Sequence, residues 1–243
     1  MGNFLLVHGT SHGAWCWRRL SPLLRAAGHE VYTPTLTGLG ASSHLLPKID
    51  RITLATHIED VSNTLFFEDL SEVVLVGHSY AGMVITGVAA KEPRRLAHLV
   101  YFDAYVPFEG ESEMGLWPPE EQARVKAEIA KGKRFRPLPP DFPAFLGITD
   151  PELAEWVQER FTPHPISTYE DPPPSGSPES ASIPRTYIHC TDEPVTAWMP
   201  RMEVFASRAR GLGWNVHELA SGHDAMLTHP KQLTDILLGI ASK

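Results

Sequence analysis

Cysteine is nearly missing from this chain: 243 residues contain two, Cys16 and Cys190, both in apolar surroundings. A disulfide framework is therefore not what holds the fold together, and reduced core thiols are expected. Long apolar runs are also absent. Nothing approaches the ~18 consecutive apolar residues that a membrane-spanning helix needs. Basic charge is scarce, with 21 Lys and Arg against 29 Asp and Glu, a formal net charge of −8. That balance opposes binding to nucleic acid or to an anionic membrane, and no Lys/Arg-rich stripe overrides it. The first strand-like run begins directly after Met1-Gly2-Asn3, leaving no room for a signal peptide. The expectation is a soluble cytoplasmic protein, monomeric or homodimeric. With 42% hydrophobic and 21% charged residues, the chain has the composition of one large globular domain with a full core.

What the chain does have is alternation. Strand-like runs at Phe4–His8, Glu30–Thr35, Val73–Gly77, His98–Phe102, Arg185–Cys190 and Trp214–Leu219 are separated by helical patterns. Those patterns lie at Trp15–Ala27, Thr53–Asp69, the stretch running to Lys91, and from Pro230 onward. This predicts an α/β fold: a mostly parallel, doubly wound sheet with helices on both faces. Between about Ala104 and Pro184 the alternation lapses into proline-rich sequence holding two helical patterns, Pro118–Lys131 and Pro151–Phe161. Residues 104–183 are expected to form an inserted helical cap over the carboxyl edge of the sheet, with 1–103 and 184–243 as its core. The Pro/Ser/Gly-rich stretch Pro172–Ser182 reads as a return linker.

The chemistry is concentrated at Val73-Val74-Leu75-Val76-Gly77-His78-Ser79-Tyr80-Ala81-Gly82. A buried strand runs into Gly-x-Ser-x-small, followed by a helix. This is the nucleophile-elbow pattern, in which a tight strand-to-helix turn exposes the serine oxygen. A serine hydroxyl needs a base, an orienting acid and an oxyanion hole. Among twelve histidines, His223 is the candidate base because it follows the last strand and precedes the final helix. His78 is expected to pack structurally. His8 and His12 lack a third ligand and a shared helical face, so no metal is expected, and no cofactor. Three carboxylates compete for the acid. Asp103 ends the strand after the elbow unit, Asp192 follows the next strand, and Glu193 is beside it; Asp103 is preferred. The backbone N–H groups of Tyr80 and Thr10 are the expected oxyanion donors. His12, Met83, Trp117 and Trp198 are the expected pocket residues, within a wider aromatic and methionine set that includes Phe142, Phe145 and Phe161.

Phe4–Trp17, Thr35–Gly40, Gly77–Met83, Tyr101–Pro107 and Gly222–Met226 together resemble the plant methylesterase and hydroxynitrile lyase branch of the α/β-hydrolases, and the bacterial esterases of that group, some of which hydrolyse pyrethroid-type esters. The resemblance implies Ser79 as nucleophile, His223 as base, and Thr10 and Tyr80 as oxyanion donors. Two departures bear on the activity. The lyases carry a lysine after the catalytic histidine and a threonine at the position of Gly9, whereas here Asp224 and Gly9 occupy those places. Cyanohydrin cleavage is therefore not expected. In the plant esterases the acid offset lands on Glu193, a further reason to prefer Asp103. The expected activity is hydrolysis of small apolar or aromatic carboxylic esters through an acyl-enzyme. Alternatives are lactone, thioester or carbon–carbon cleavage on the same residues, or a hydrolase-fold receptor for a small molecule.

Overall fold

The computed structural model describes residues 2–139, 141–192 and 202–241. Its strands in chain order are β1 (Asn3–Val7), β2 (Glu30–Tyr32), β3 (Val73–His78), β4 (Leu96–Phe102), β5 (Phe135–Arg136), β6 (His164–Pro165), β7 (Arg185–Cys190) and β8 (Asn215–Leu219). Six of them form one sheet in the order β2-β1-β3-β4-β7-β8, and every neighbouring pair is parallel. The helices are α1 (Ser21–Ala26), α2 (Leu54–Phe67), α3 (Ala81–Lys91), α4 (Pro119–Ala130), α5 (Phe142–Phe145), α6 (Pro151–Gln158), α7 (Pro178–Ala181), α8 (Glu203–Gly211), α9 (Ala225–Thr228) and α10 (Pro230–Ala241).

Because side chains alternate across a strand, consecutive residues feed two separate cores. Leu5, Val7, Leu75, Leu99 and Tyr101 face one side with residues of α2, α3 and α8. Phe4, Leu6, Val74, Val76, Val100 and Phe102 face the other with residues of α1 and α10. Both faces are thus covered, as buried parallel strands require. The long helix α2 starts where the sequence places it, because the Thr53 hydroxyl accepts the Thr56 N–H in a reciprocal capping box. Among the described residues no helix is long and apolar enough to cross a membrane.

The helix expected over Trp15–Ala27 is broken into a 3₁₀ turn, Ala14–Trp17, and α1. Pro22 accounts for this: it has no N–H to give and its ring excludes the carbonyl four residues earlier, so it fits only in a first turn. The segment 104–183 holds a two-stranded antiparallel ribbon, β5 with β6, which is too short to leave a periodic signal. It contributes Trp117, Val125, Ile166 and Tyr169 to one core and Phe142, Leu146, Val157 and Phe161 to the other. The stretch read as a linker contains α7, started by a Ser177–Ser180 capping box.

Candidate active site

β3 and β4 end at the same level, since His78 pairs with Phe102. The next residue on each strand, Ser79 and Asp103, adopts a left-handed backbone, with φ of 55° and 44°. Neither is glycine, so both positions are strained, as expected of a side chain held for function. The elbow is locked by three backbone bonds: Ser79 N–H to Phe102 O at 3.2 Å, and the Gly82 and Tyr105 N–H groups to Ser79 O at 3.1 Å. Gly82 is the residue that permits this approach, because a Cβ there would meet the Tyr105 carbonyl oxygen at 2.0 Å. Ala81, the departure from the motif, is accommodated in the core.

His223 is brought to the carboxylate of Asp103. Its Nδ1 donates to Asp103 Oδ2 at 2.6 Å, while Asp103 Oδ1 accepts the Cys190 N–H at 3.0 Å. Asp103 is fully buried. With Nδ1 as donor, the neutral ring presents Nε2 as an acceptor. Asp192 is instead exposed, its backbone N–H bonded to Ser221 O at 3.0 Å. Glu193 and Trp198 lie outside the described residues.

Ser79, His223, Thr10, Ser11 and His12 line one cavity of about 390 Å³. The loop after β1 lies directly against the elbow. A Cβ on Gly9 would stand 2.8 Å from the Ser79 Cβ, so no side chain can occupy that position without a shift. Among the described residues, the backbone N–H groups of Thr10 and Tyr80 have no hydrogen-bond partner. The Tyr80 side chain turns away, its hydroxyl 2.8 Å from His57 Nδ1.

The remaining expected pocket residues divide. His12 is on the cavity wall, fixed by Thr10 O at 2.7 Å and Asp224 Oδ2 at 2.9 Å. Met83 and Trp117 are behind the wall. Met83 faces inward from α3 into the sheet core. Trp117 donates its indole N–H to the Tyr105 hydroxyl at 3.1 Å and packs on Tyr169. Both are corrections: helical spacing and aromatic character identify buried side chains without saying which side of a wall they take. Phe142 and Phe145 do line the cavity, together with Leu138 and Leu146.

Sequence reasoning missed the polar surroundings. Asp224 is buried between His12 and His78, the latter 3.8 Å away at Nε2. His78 also donates from Nε2 to His223 O at 3.1 Å, bracing the loop that carries His223. His8, His57, His78 and His164 are all fully buried. Burial lowers each of their pKa values, to about 3 for His8 and about 4 for His57, and well down for His78 and His164. Only His78, beside the elbow serine, was expected to pack structurally; no local pattern marks the other three rings as buried. Glu113, from a run that reads as solvated, is buried on the cavity wall.

Comparisons with known proteins bear on the family and the fold. The profile of the alpha/beta hydrolase family matches residues 4–236. A carbendazim hydrolyzing esterase of Nocardioides sp. (strain SG-4G) is 39% identical, covering 99% of this chain and 100% of that one. Salicylic acid-binding protein 2 of Nicotiana tabacum is 29% identical, covering 99% and 97%. An extracellular alpha/beta-hydrolase from a Paenibacillus species superposes with a TM-score of 0.82 at 26% identity, covering 98% of both chains. A strained serine after β3, an unbroken parallel sheet and a family profile spanning nearly the whole sequence lead to one assignment: the chain belongs to the alpha/beta hydrolase family.

Proposed function

We propose that the protein is a serine esterase acting on small carboxylic esters with an apolar or aromatic body, with Ser79 as nucleophile, His223 as general base and Asp103 as the orienting acid. The observation that carries this reading is the 2.6 Å bond from His223 Nδ1 to the buried Asp103 carboxylate, in a cavity shared with the strained Ser79. Asp103 fixes the tautomer in which Nε2 is the nitrogen that accepts the Ser79 proton, and stabilises the imidazolium that follows. The serine oxygen then attacks the ester carbonyl. The Thr10 and Tyr80 N–H groups meet the developing oxyanion, each contributing about 3–4 kcal/mol. His223 returns the proton to the leaving alcohol, and water, deprotonated by the same ring, releases the acid. Phe142, Phe145 and Leu138 provide the apolar wall for the substrate body.

The esterase names of the relatives support this reaction class, and carbendazim is a rational first compound to assay. The test is a fluorophosphonate label located by peptide mass spectrometry, with turnover of p-nitrophenyl acetate and butyrate. The expected result is an adduct on Ser79, with turnover lost in Ser79→Ala and His223→Ala. A label elsewhere, or turnover that persists in Ser79→Ala, would overturn the assignment. Labelling at Ser79 with tight ligand binding but only a single slow turnover would identify a receptor instead.

A further inference from the structure

The Thr10 N–H, proposed as an oxyanion donor, is followed by a peptide unit held from two sides. Both polar ends of that unit, Thr10 C=O and Ser11 N–H, meet imidazole rings. His12 Nδ1 lies 2.7 Å from Thr10 O, and the Ser11 N–H donates to His164 Nδ1 at 3.1 Å. A carbonyl only accepts, so His12 Nδ1 carries a proton and donates it. Its Nε2 lies 2.9 Å from Asp224 Oδ2, a contact that needs one further proton between ring and carboxyl. The pair therefore carries no net charge, the condition under which two such groups can be buried; His12 is 2% exposed and Asp224 0%. Asp224 directly follows His223, so the pair joins the loop of the oxyanion donor to the loop of the base. On the opposite side, His164 Nε2 donates to Thr168 Oγ1 at 2.9 Å, and that hydroxyl donates to Pro165 O at 2.8 Å. This fixes the tautomer in which His164 Nδ1 accepts the Ser11 N–H.

The two rings hold the backbone away from its relaxed form. Ser11 has a φ of 64°, in the left-handed region that a residue other than glycine adopts only at a cost. Turning the Thr10–Ser11 peptide over would return Ser11 to negative φ, and it would break both imidazole contacts. We propose that His12 is a positioning residue of the oxyanion hole. Its Nδ1–H bond to Thr10 O, braced by Asp224, keeps this peptide in the orientation that aims the Thr10 N–H at the reacting carbonyl oxygen. The inference rests on the esterase reading and gives His12 and Asp224 the task of aligning donor with base. His12 acts through Thr10, not on the substrate.

The experiment compares His12→Gln with His12→Asn. A Gln amide reaches the place of Nε2, keeps Asp224 paired and leaves Thr10 O without its donor. An Asn amide reaches the place of Nδ1 and keeps that donor. Removing an oxyanion donor costs about 10²–10³ in kcat, so a misaimed one should lower kcat/KM of His12→Gln on p-nitrophenyl butyrate at least about tenfold. His12→Asn should retain most of the native value. Ser11→Gly added to His12→Gln should recover part of the loss, because glycine takes positive φ without strain. Affinity for trifluoroacetophenone, whose hemiketal oxyanion fills the same hole, should fall in parallel with kcat/KM, while that of acetophenone, which stays trigonal, should not. Equal kcat/KM in the two variants, both folded by circular dichroism, would overturn the proposal, as would undiminished trifluoroacetophenone affinity in His12→Gln. A crystal structure of the native hemiketal decides the matter if a variant does not fold. Thr10 N is expected about 3 Å from the oxyanion with His12 Nδ1 still on Thr10 O; an adduct lacking that bond, or no adduct, would overturn the proposal. If the native protein hydrolyses no ester, the esterase assignment fails, and the trifluoroacetophenone affinities still decide the role of His12.

Discussion

Acid should unfold this protein unusually early, and the cause can be traced to four rings. His8, His57, His78 and His164 are fully buried, and their neighbours favour the neutral form. His8 Nε2 accepts the Leu36 N–H at 3.1 Å, and His164 Nδ1 accepts the Ser11 N–H at 3.1 Å. Protonating either nitrogen would break that bond and bury a charge. All four pKa values lie below the ordinary 6.5, so near pH 5.5 the unfolded chain binds protons that the folded chain refuses. The stability from each ring is present above pH 6.5 and is lost as pH falls below it. At about 1.4 kcal/mol per group per pH unit, the four together remove about 6 kcal/mol at pH 5.5. A domain of this size is stable by only about 5–15 kcal/mol. Urea melts between pH 7.5 and 5 should therefore show stability falling with a slope that approaches three protons taken up on unfolding, the four rings less the one proton that buried Glu113, with its pKa raised to about 8, already holds in the folded state. His57→Gln should lower the slope by one. A slope below one proton over this interval would refute the reasoning, because ordinary carboxylates titrate lower.

Asp103→Asn is expected to reduce kcat by about 10⁴-fold through loss of the correct imidazole tautomer, with Asp192→Asn remaining within about twofold of native as an exposed loop change; steady-state kinetics on p-nitrophenyl butyrate distinguish the two. Gly9→Ala should impair catalysis more than folding: its Cβ would crowd the Ser79 Cβ at 2.8 Å, so fluorophosphonate labelling should slow at least tenfold while the melting temperature falls by only a few degrees, a change of about 1–2 kcal/mol.

The sheet and the residues proposed to react were legible because each leaves a local mark. Strands β3 and β4 are apolar runs, Ser79 follows a strand and precedes a helix, and Asp103 and His223 sit at strand exits. The wall of the cavity was not legible in the same way. Trp117 and Phe142 are both aromatics of the segment 104–183, and only the packing of that segment against the sheet decides that Phe142 faces the cavity and Trp117 the core. Glu113 sits in Gly110-Glu111-Ser112-Glu113, where composition indicates solvent. Its neighbours Tyr105, Trp117 and Arg136 come from three separate stretches of the segment 104–183. The His12–Asp224 pair spans almost the whole chain, and no spacing rule connects residues so far apart.

The shared level at which β3 and β4 end has a consequence for how accurately the site can be built. Adjacent strands in a sheet are held at a fixed separation of about 4.8 Å by their hydrogen-bond ladder. Ser79 and Asp103 stand one ladder apart, each one residue beyond a paired position. A carboxylate supplied from beyond β7 would stand two ladders from the nucleophile, and twist and register variation would add across both. Here a single joint sets the distance between the proposed nucleophile and the proposed acid, and no part of that spacing passes through β7.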